Sequence, residues 1–139
     1  MASAVEADKL DGKDAAELQT SSAYVEETDA DPSLTGTPQE ILSTTVTTTG
    51  TRIIATASVE FENDSGDASN SAGCELFIAG ENSPNYDQKV QDSGDDVTLA
   101  FTFASTVSAG THPVVLECEE NSGEVGVNNA GLSAIAVGE

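Results

Sequence analysis

Apolar and polar residues alternate with a period of two along much of this chain, and this alternation restricts the fold more than any other feature. In residues 51–62 every second residue is apolar, and Ile54 is the one large apolar residue on the other face. Because a strand points successive side chains to opposite faces, the pattern is typical of a half-buried antiparallel strand. The apolar set is Ile53, Ala55, Ala57, Val59 and Phe61.

Other segments also have sequence patterns typical of strands. Residues 97–103 and 114–118 alternate in the same way, and residues 41–49 form a Thr-rich segment that also suits a strand. Residues 123–137 predict two short strands turned at Asn128-Asn129. Clusters of turn residues separate these segments, and many short strands between turn clusters predict an all-β fold, either a β-sandwich or a barrel.

The first 39 residues differ from the rest and predict an N-terminal arm, residues 1–39, ahead of a β-sandwich head over residues 40–139. A short helix is expected from Asp14, whose carboxylate can cap it while Glu17 reaches back. Such a helix is too short to be stable alone and must dock on a partner. Residues 21–39 are rich in Asp, Pro and Gly and predict an extended linker. The large apolar residues that could anchor the arm are Val5, Leu10 and Leu18.

The chain is strongly acidic. It has 25 Asp and Glu against 4 Lys and Arg, a formal net charge of -21 over 139 residues. Because such a surplus repels itself, we expect the chain to work where salt screens charge, as in a halophilic host. Nucleic-acid binding is not expected, since phosphate contacts require Lys and Arg. We also expect no membrane span and no signal peptide, because no long apolar run and no basic N-terminal region are present.

The two cysteines, Cys74 and Cys118, each share a strand face with apolar neighbours, so both sulfurs are expected to face the core. They either form a disulfide or pack as buried free thiols. A disulfide across this separation would contribute on the order of 4 kcal/mol in the chain-entropy model. Oxidising conditions outside a cell would favour the disulfide.

Acidic clusters offer the main candidate chemistry. Asp92, Asp95 and Asp96 bring carboxylates together in a loop, where Ca²⁺ or Mg²⁺ finds oxygen ligands. The alternative is a solvated acidic loop, which chance alone produces in so acidic a chain, and otherwise we expect no cofactor. His112 is the sole histidine, and the residue types for general acid-base catalysis at neutral pH are nearly missing. We therefore do not expect an enzyme.

Two parts of the chain resemble proteins of virus particles and cell surfaces. Residues 7–18, ADKLDGKDAAEL, resemble a segment of phage tail-fibre-like and bacterial surface proteins that precedes or joins a β-rich head. Residues 107–118, VSAGTHPVVLEC, and 132–138, LSAIAVG, resemble the last strands of such a head. Heads of this sort are similar to the trimeric jelly rolls of the C1q and tumour-necrosis-factor type. The resemblance implies an antiparallel jelly-roll β-sandwich and a homotrimer.

The first functional hypothesis is a virion structural protein: a capsid decoration, a turret or a short tail-fibre head. It would be assembled in the host cytoplasm and carried on the virion, with its N-terminal arm docked on other virion proteins. Three residues of the last strand would be buried within or between protomers, namely Leu132, Ile135 and Val137.

The second hypothesis is an adhesion module that recognises a host glycan or receptor through its loops. A loop aromatic can stack on a sugar ring, and Tyr86, between Asn85 and Asp87, is the candidate. The alternative for Tyr86 is an ordinary surface tyrosine in a turn.

Overall fold

The computed structural model describes residues 9–10, 13–14, 22–28, 33–65, 69–91 and 96–137. No membrane-crossing helix is found among these residues. The described part of the chain contains eleven strands: β1 (Lys9–Leu10), β2 (Lys13–Asp14), β3 (Ser22–Thr28), β4 (Gln39–Thr48), β5 (Arg52–Asn63), β6 (Ser71–Ile78), β7 (Glu81–Asn82), β8 (Tyr86–Lys89), β9 (Asp96–Thr106), β10 (Gly110–Ser122) and β11 (Val125–Val137).

The strands from β3 onward form two antiparallel sheets that pack face to face. The four-stranded sheet has the order β3-β11-β5-β9. The five-stranded sheet has the order β4-β10-β6, and both β7 and β8 pair with the far side of β6. From β3 onward, successive strands alternate between the two sheets. The exception is the run from β6 to β8, which stays in the five-stranded sheet. This order is that of a jelly roll, so the predicted all-β antiparallel jelly-roll sandwich is confirmed.

The core lies between the sheets and consists of the inward-facing residues of their strands. Aliphatic side chains dominate it, because the chain has no Trp and only four Phe. Each large aliphatic or aromatic side chain that is fully buried contributes roughly 1.5–3 kcal/mol. The largest of these side chains are Phe61, Ile53, Leu76, Ile78, Leu116 and Leu132.

A β-bulge at Asn128 divides β11 into two halves. Val127 pairs with Phe61 of β5 and Asn129 pairs with the preceding Glu60, so Asn128 is an extra residue in the strand. The predicted turn at this position is therefore wrong, and one strand runs through it. Because the extra residue shifts the alternation by one, Leu132 is buried while Ile135 and Val137 are 42% and 39% exposed on the outer face.

Part of the predicted linker packs with the sandwich. Strand β3, Ser22–Thr28, is the edge strand of the four-stranded sheet and pairs with β11. Leu34 is buried in the core, and its backbone N–H donates a 2.9 Å hydrogen bond to the carbonyl oxygen of Val125. The jelly roll therefore begins at β3, upstream of the predicted start of the head.

The predicted N-terminal helix falls mostly outside the described residues. Asp14, where we expected it to begin, lies in the two-residue strand β2, which pairs with β1. Among the predicted anchors, Val5 and Leu18 lie outside the described residues, and Leu10 is described only as part of β1.

Candidate functional site

Cys74 and Cys118 lie opposite each other on β6 and β10, with their Cα atoms 4.1 Å apart. Both side chains face the core, and the Sγ atoms are bonded at 2.07 Å, so the structure has a disulfide here. The bond closes a loop with a sequence separation of 44. It holds together two central strands of the five-stranded sheet. Because both sulfurs are buried and bonded to each other, a ligand-binding site must be formed by other residues.

The side chains of the predicted site at Tyr86 point to opposite sides of the extended chain at the start of β8. Tyr86 lies in a strand, not in a loop, and its ring packs against Phe101 of β9 with the ring centroids 4.9 Å apart. It is 36% exposed. Since neighbouring residues of an extended chain point to opposite sides, Asn85 and Asp87 face away from Tyr86, and the structure does not bring the three side chains together.

Asn85 and Asp87 lie flat on the outer face of the five-stranded sheet. Gly73 leaves the space for them, because a side chain at this position would collide with both. Asn121 Nδ2 donates a 2.8 Å hydrogen bond to Asp87 Oδ1, and Asn85 Nδ2 donates a 3.2 Å hydrogen bond to Glu119 Oε1. These polar groups therefore hold one another in place.

The predicted cation site lies largely outside the described residues, which do not include Asp92 and Asp95. Asp96 begins β9, where its Oδ1 accepts a 2.9 Å hydrogen bond from Asn128 Nδ2. Within the described ranges, no group of three or more His, Cys, Asp or Glu side chains is placed to hold a metal ion.

An open depression on the outer face of the four-stranded sheet was not predicted from the sequence. It has a volume of about 250 Å³, and we call it the Tyr24 groove. All four strands of the sheet contribute to it: Tyr24 and Glu26 from β3, Asn129, Ala130 and Gly131 from β11, Ser58 and Glu60 from β5, and Thr98 from β9.

Gly131 and Ser58 form the floor of the Tyr24 groove. They pair with each other across β11 and β5. Gly131 also pairs with Glu26 of β3, and Ser58 with Ala100 of β9, so the four residues form one row across the sheet. A Cβ atom at Gly131 would lie 3.3 Å from Ser58 Oγ and 3.9 Å from the Tyr24 hydroxyl oxygen. The missing side chain of Gly131 therefore allows these two hydroxyl groups to lie close to the floor of the groove.

Tyr24 is the exposed aromatic residue of the groove, with 67% of its surface accessible. Its hydroxyl donates a 2.9 Å hydrogen bond to Glu26 Oε2, which fixes the end of the ring. This hydrogen bond raises the pKa of Tyr24 above its ordinary value of 10.0, with smaller contributions from desolvation and from the charge of Glu26. The phenol is therefore neutral at neutral pH.

The polar groups at the other end of the groove are also held in place. Asn129 Nδ2 donates a 2.9 Å hydrogen bond to Glu60 Oε1. The lining residues include the carboxylates of Glu26 and Glu60 and no Lys or Arg. The groove therefore presents an aromatic ring, hydroxyl and amide groups, and a negative potential.

A second depression lies beside the segment that enters β4 and has a volume of about 500 Å³. Its carboxylates come from Asp64, Glu120 and Glu124, and its lining residues include no aromatic side chain. An acidic surface of this kind is expected on a chain with a net charge of -21.

Comparisons with known proteins support the fold and leave the site open. Neither protein-family models nor curated proteins give a match to this sequence. A chain in the structure of infectious bursal disease virus, Gt strain, matches 81% of this chain with a TM-score of 0.53 and 11% identity. A chain of the Gx strain matches 84% of it with a TM-score of 0.54 and 10% identity. The likeness is one of fold.

This chain corresponds to about a third of each virus chain, 33% in the Gt strain and 32% in the Gx strain. The C-terminal domain of EclA, a sugar-binding protein, matches 80% of this chain with 15% identity and is itself 77% covered. Its TM-score of 0.44 is too low to establish a common fold.

Proposed function

We propose that this chain is a structural module of a virus particle, as a capsid decoration, turret or short-fibre head that works at high salt. The observation that carries the proposal is the jelly roll, whose interior is filled by apolar side chains and a disulfide. With the interior filled, contacts with partners are left to the outer faces. Jelly rolls are common in capsid and lectin domains, although a fold alone does not fix a function.

We propose that copies of the chain meet on the apolar half of the four-stranded sheet. Ile135 and Val137 are exposed there, and Ile54 pairs with Ile135 in register. Arg52 pairs with Val137 and is one of only four Lys and Arg residues in the chain. In a chain with a net charge of -21, a surface that carries apolar side chains and a cation meets a second copy with little like-charge repulsion. A homotrimer is the proposed stoichiometry.

The segment before β3 is proposed as the arm that docks on other virion proteins, with Val5, Leu10 and Leu18 as its anchor residues. Because β3 belongs to the jelly roll, a deletion that tests the arm must stop at residue 21. We expect this deletion to abolish attachment to the particle and to leave the trimer intact. Attachment that survives the deletion would contradict the proposed arm.

The stoichiometry is tested by light scattering after size exclusion, in molar KCl and in dilute buffer. We expect three times the mass of one chain in KCl and a smaller or dispersed mass in dilute buffer, where the carboxylates repel one another. Ile135→Asp should give single chains in KCl, while Thr45→Asp, which adds the same charge at an exposed position of β4, should not. A salt-independent single chain would exclude both the trimer and the salt requirement.

The proposal includes no catalytic role. The sole histidine, His112, donates a 2.7 Å hydrogen bond from its ring Nε2 to the carbonyl oxygen of Ser108, which fits a structural role at the start of β10. A screen for hydrolysis of host surface polysaccharides tests this part of the proposal, and turnover would contradict it. A second candidate function, recognition of a host glycan, is favoured by the exposed aromatic ring of the Tyr24 groove.

A further inference from the structure

The Tyr24 groove combines an aromatic face with hydrogen-bonding groups on a rigid sheet. Tyr24 is exposed, and its hydroxyl donates a hydrogen bond to Glu26. A tyrosine of this kind offers an apolar face beside a polar edge. The C–H face of a sugar ring packs on such a surface while the sugar hydroxyl groups reach the polar groups around it.

The groove leaves room for a sugar ring above its shallow floor. Gly131 has no side chain, and Ser58 next to it has a short one. The volume of about 250 Å³ is slightly below the roughly 300 Å³ at which pockets for drug-sized ligands begin. The groove therefore suits one or two sugar rings and not a long chain enclosed on all sides.

The polar groups match the hydroxyl groups of a sugar. Glu60 has carboxylate oxygens that accept hydrogen bonds, and the hydroxyls of Ser58 and Thr98 both donate and accept. Asn129 holds Glu60 in position through its 2.9 Å hydrogen bond. A carboxylate that is already fixed by a neighbour can bind a hydroxyl group with little further loss of conformational freedom.

The charge of the groove selects among sugars. Glu26 and Glu60 are both acidic, and the lining residues include no cation that could neutralise a sialic acid, a uronic acid or a sulfated sugar. The net charge of -21 repels such ligands from a distance as well. We propose that the Tyr24 groove binds a neutral oligosaccharide, with one hexose unit packed on Tyr24 and its hydroxyls bound by Glu60 and Ser58.

This inference does not depend on the proposed trimer or on the particle. It assigns glycan recognition to β3, β5 and β11 and not to the predicted residues around Tyr86. Because one or two sugar rings make few contacts, we expect a dissociation constant of about 1 mM, which corresponds to a binding free energy of roughly -4 kcal/mol.

The chain itself provides a spectroscopic probe of the groove. It has two Tyr and no Trp, so Tyr86→Phe leaves Tyr24 as the only tyrosine while keeping an aromatic ring against Phe101. The test measures Tyr24 fluorescence of this variant in molar KCl during titration with neutral hexosides. We expect a saturable change with at least one neutral hexoside and none with sialic acid or glucuronic acid.

Substitutions in the groove locate the site. In ligand-observed NMR with the bound hexoside, Tyr24→Ala and Gly131→Val should each weaken binding roughly tenfold or more. Tyr86→Phe is the matched control and should bind like the original chain. Gly131 has an ordinary strand backbone, but a Cβ there would lie 3.3 Å from Ser58 Oγ, so the Ser58 side chain must move slightly in Gly131→Val. Tyr24→Ala tests the site without this contact.

Three results would overturn the inference. The first is an absence of binding across a panel of neutral glycans, and the second is equal binding by Tyr24→Ala. The third is a loss of the trimer on Tyr24→Ala, which would make this surface a contact between copies. A glycan-negative result with the trimer intact would leave the particle proposal standing, so failures of the two proposals are distinguishable.

Discussion

Tyr24 and Glu26 are linked on the outer face of β3, where the phenol donates a 2.9 Å hydrogen bond to the carboxylate. The two residues are neighbours on that face because side chains two positions apart in a strand point to the same side. The hydrogen bond keeps the phenol protonated and raises its pKa above 10.0. Loss of the phenol proton, which breaks this hydrogen bond, therefore requires alkaline pH.

In the Tyr86→Phe variant, we expect the near-ultraviolet absorbance of tyrosinate to titrate with a midpoint above 10.0. Because the folded pKa is raised, the contribution of Tyr24 to folding is present below the pKa of the unfolded chain. It is lost as the pH rises through the folded pKa. Glu26→Gln should lower the midpoint, and a midpoint that does not respond to this change would exclude Glu26 as the main cause.

Replacing both cysteines by alanine should lower the free energy of unfolding by about 4 kcal/mol, because the unfolded chain regains the freedom of the loop from Cys74 to Cys118. Urea denaturation measures this loss. As a control, refolding under reducing conditions should destabilise the original chain and leave the double variant unchanged. Equal stability of the reduced and oxidised chains would contradict the expected contribution.

Deletion of residues 1–32 should destabilise the jelly roll, whereas deletion of residues 1–21 should not. Only the longer deletion removes β3, which covers one edge of β11 and packs Ala23 and Val25 against the core. Val25 is only partly buried, so its lost burial costs less than the roughly 1.5–3 kcal/mol of a fully buried side chain. Thermal unfolding compares the two deletions, and hydrogen exchange should accelerate at the β11 amides that face β3. Identical melting temperatures would show that β3 is dispensable.

Asn70→Ala should destabilise the chain by about 1–3 kcal/mol, because it removes two hydrogen bonds of a buried side chain, each worth roughly 0.5–1.5 kcal/mol. The Asn70 side chain is 1% exposed, and its Nδ2 lies 2.7 Å from Asn63 Oδ1 and 2.9 Å from the carbonyl oxygen of Glu124. Asn121→Ala is the control, since Asn121 makes one exposed hydrogen bond and its loss should cost about 0.5 kcal/mol or less. Equal effects in urea denaturation would be evidence against a structural role for Asn70.

The alternation in residues 51–62 and 97–103 correctly predicted β5 and β9, because each of these strands has one face in the core and the other in solvent. The jelly-roll arrangement came from the resemblance, since alternation alone does not distinguish a sandwich from a barrel. Strand β3 was missed because it lies at an edge of the sheet and is closely followed by Asp31-Pro32, a strong turn signal.

The Tyr24 groove could not be predicted from a single segment. Tyr24, Ser58 and Gly131 are far apart in sequence and meet only through the register of three strands. The bulge at Asn128 sets part of this register, and a two-residue period carries no sign of it. The sequence analysis placed Tyr86 in a loop and not in a strand for a related reason. Strand β8 is polar and shows no alternation that would separate its two faces.

The disulfide also determines how the chain would carry mechanical load. A force that pulls the two ends apart would pass along β6, through the bond between Cys74 and Cys118, and into β10. The chain between the two cysteines, with a sequence separation of 44, would bear no force. With the disulfide intact, a pulling force can therefore extend the chain by roughly 150 Å less than its full length allows, at about 3.5 Å for each residue.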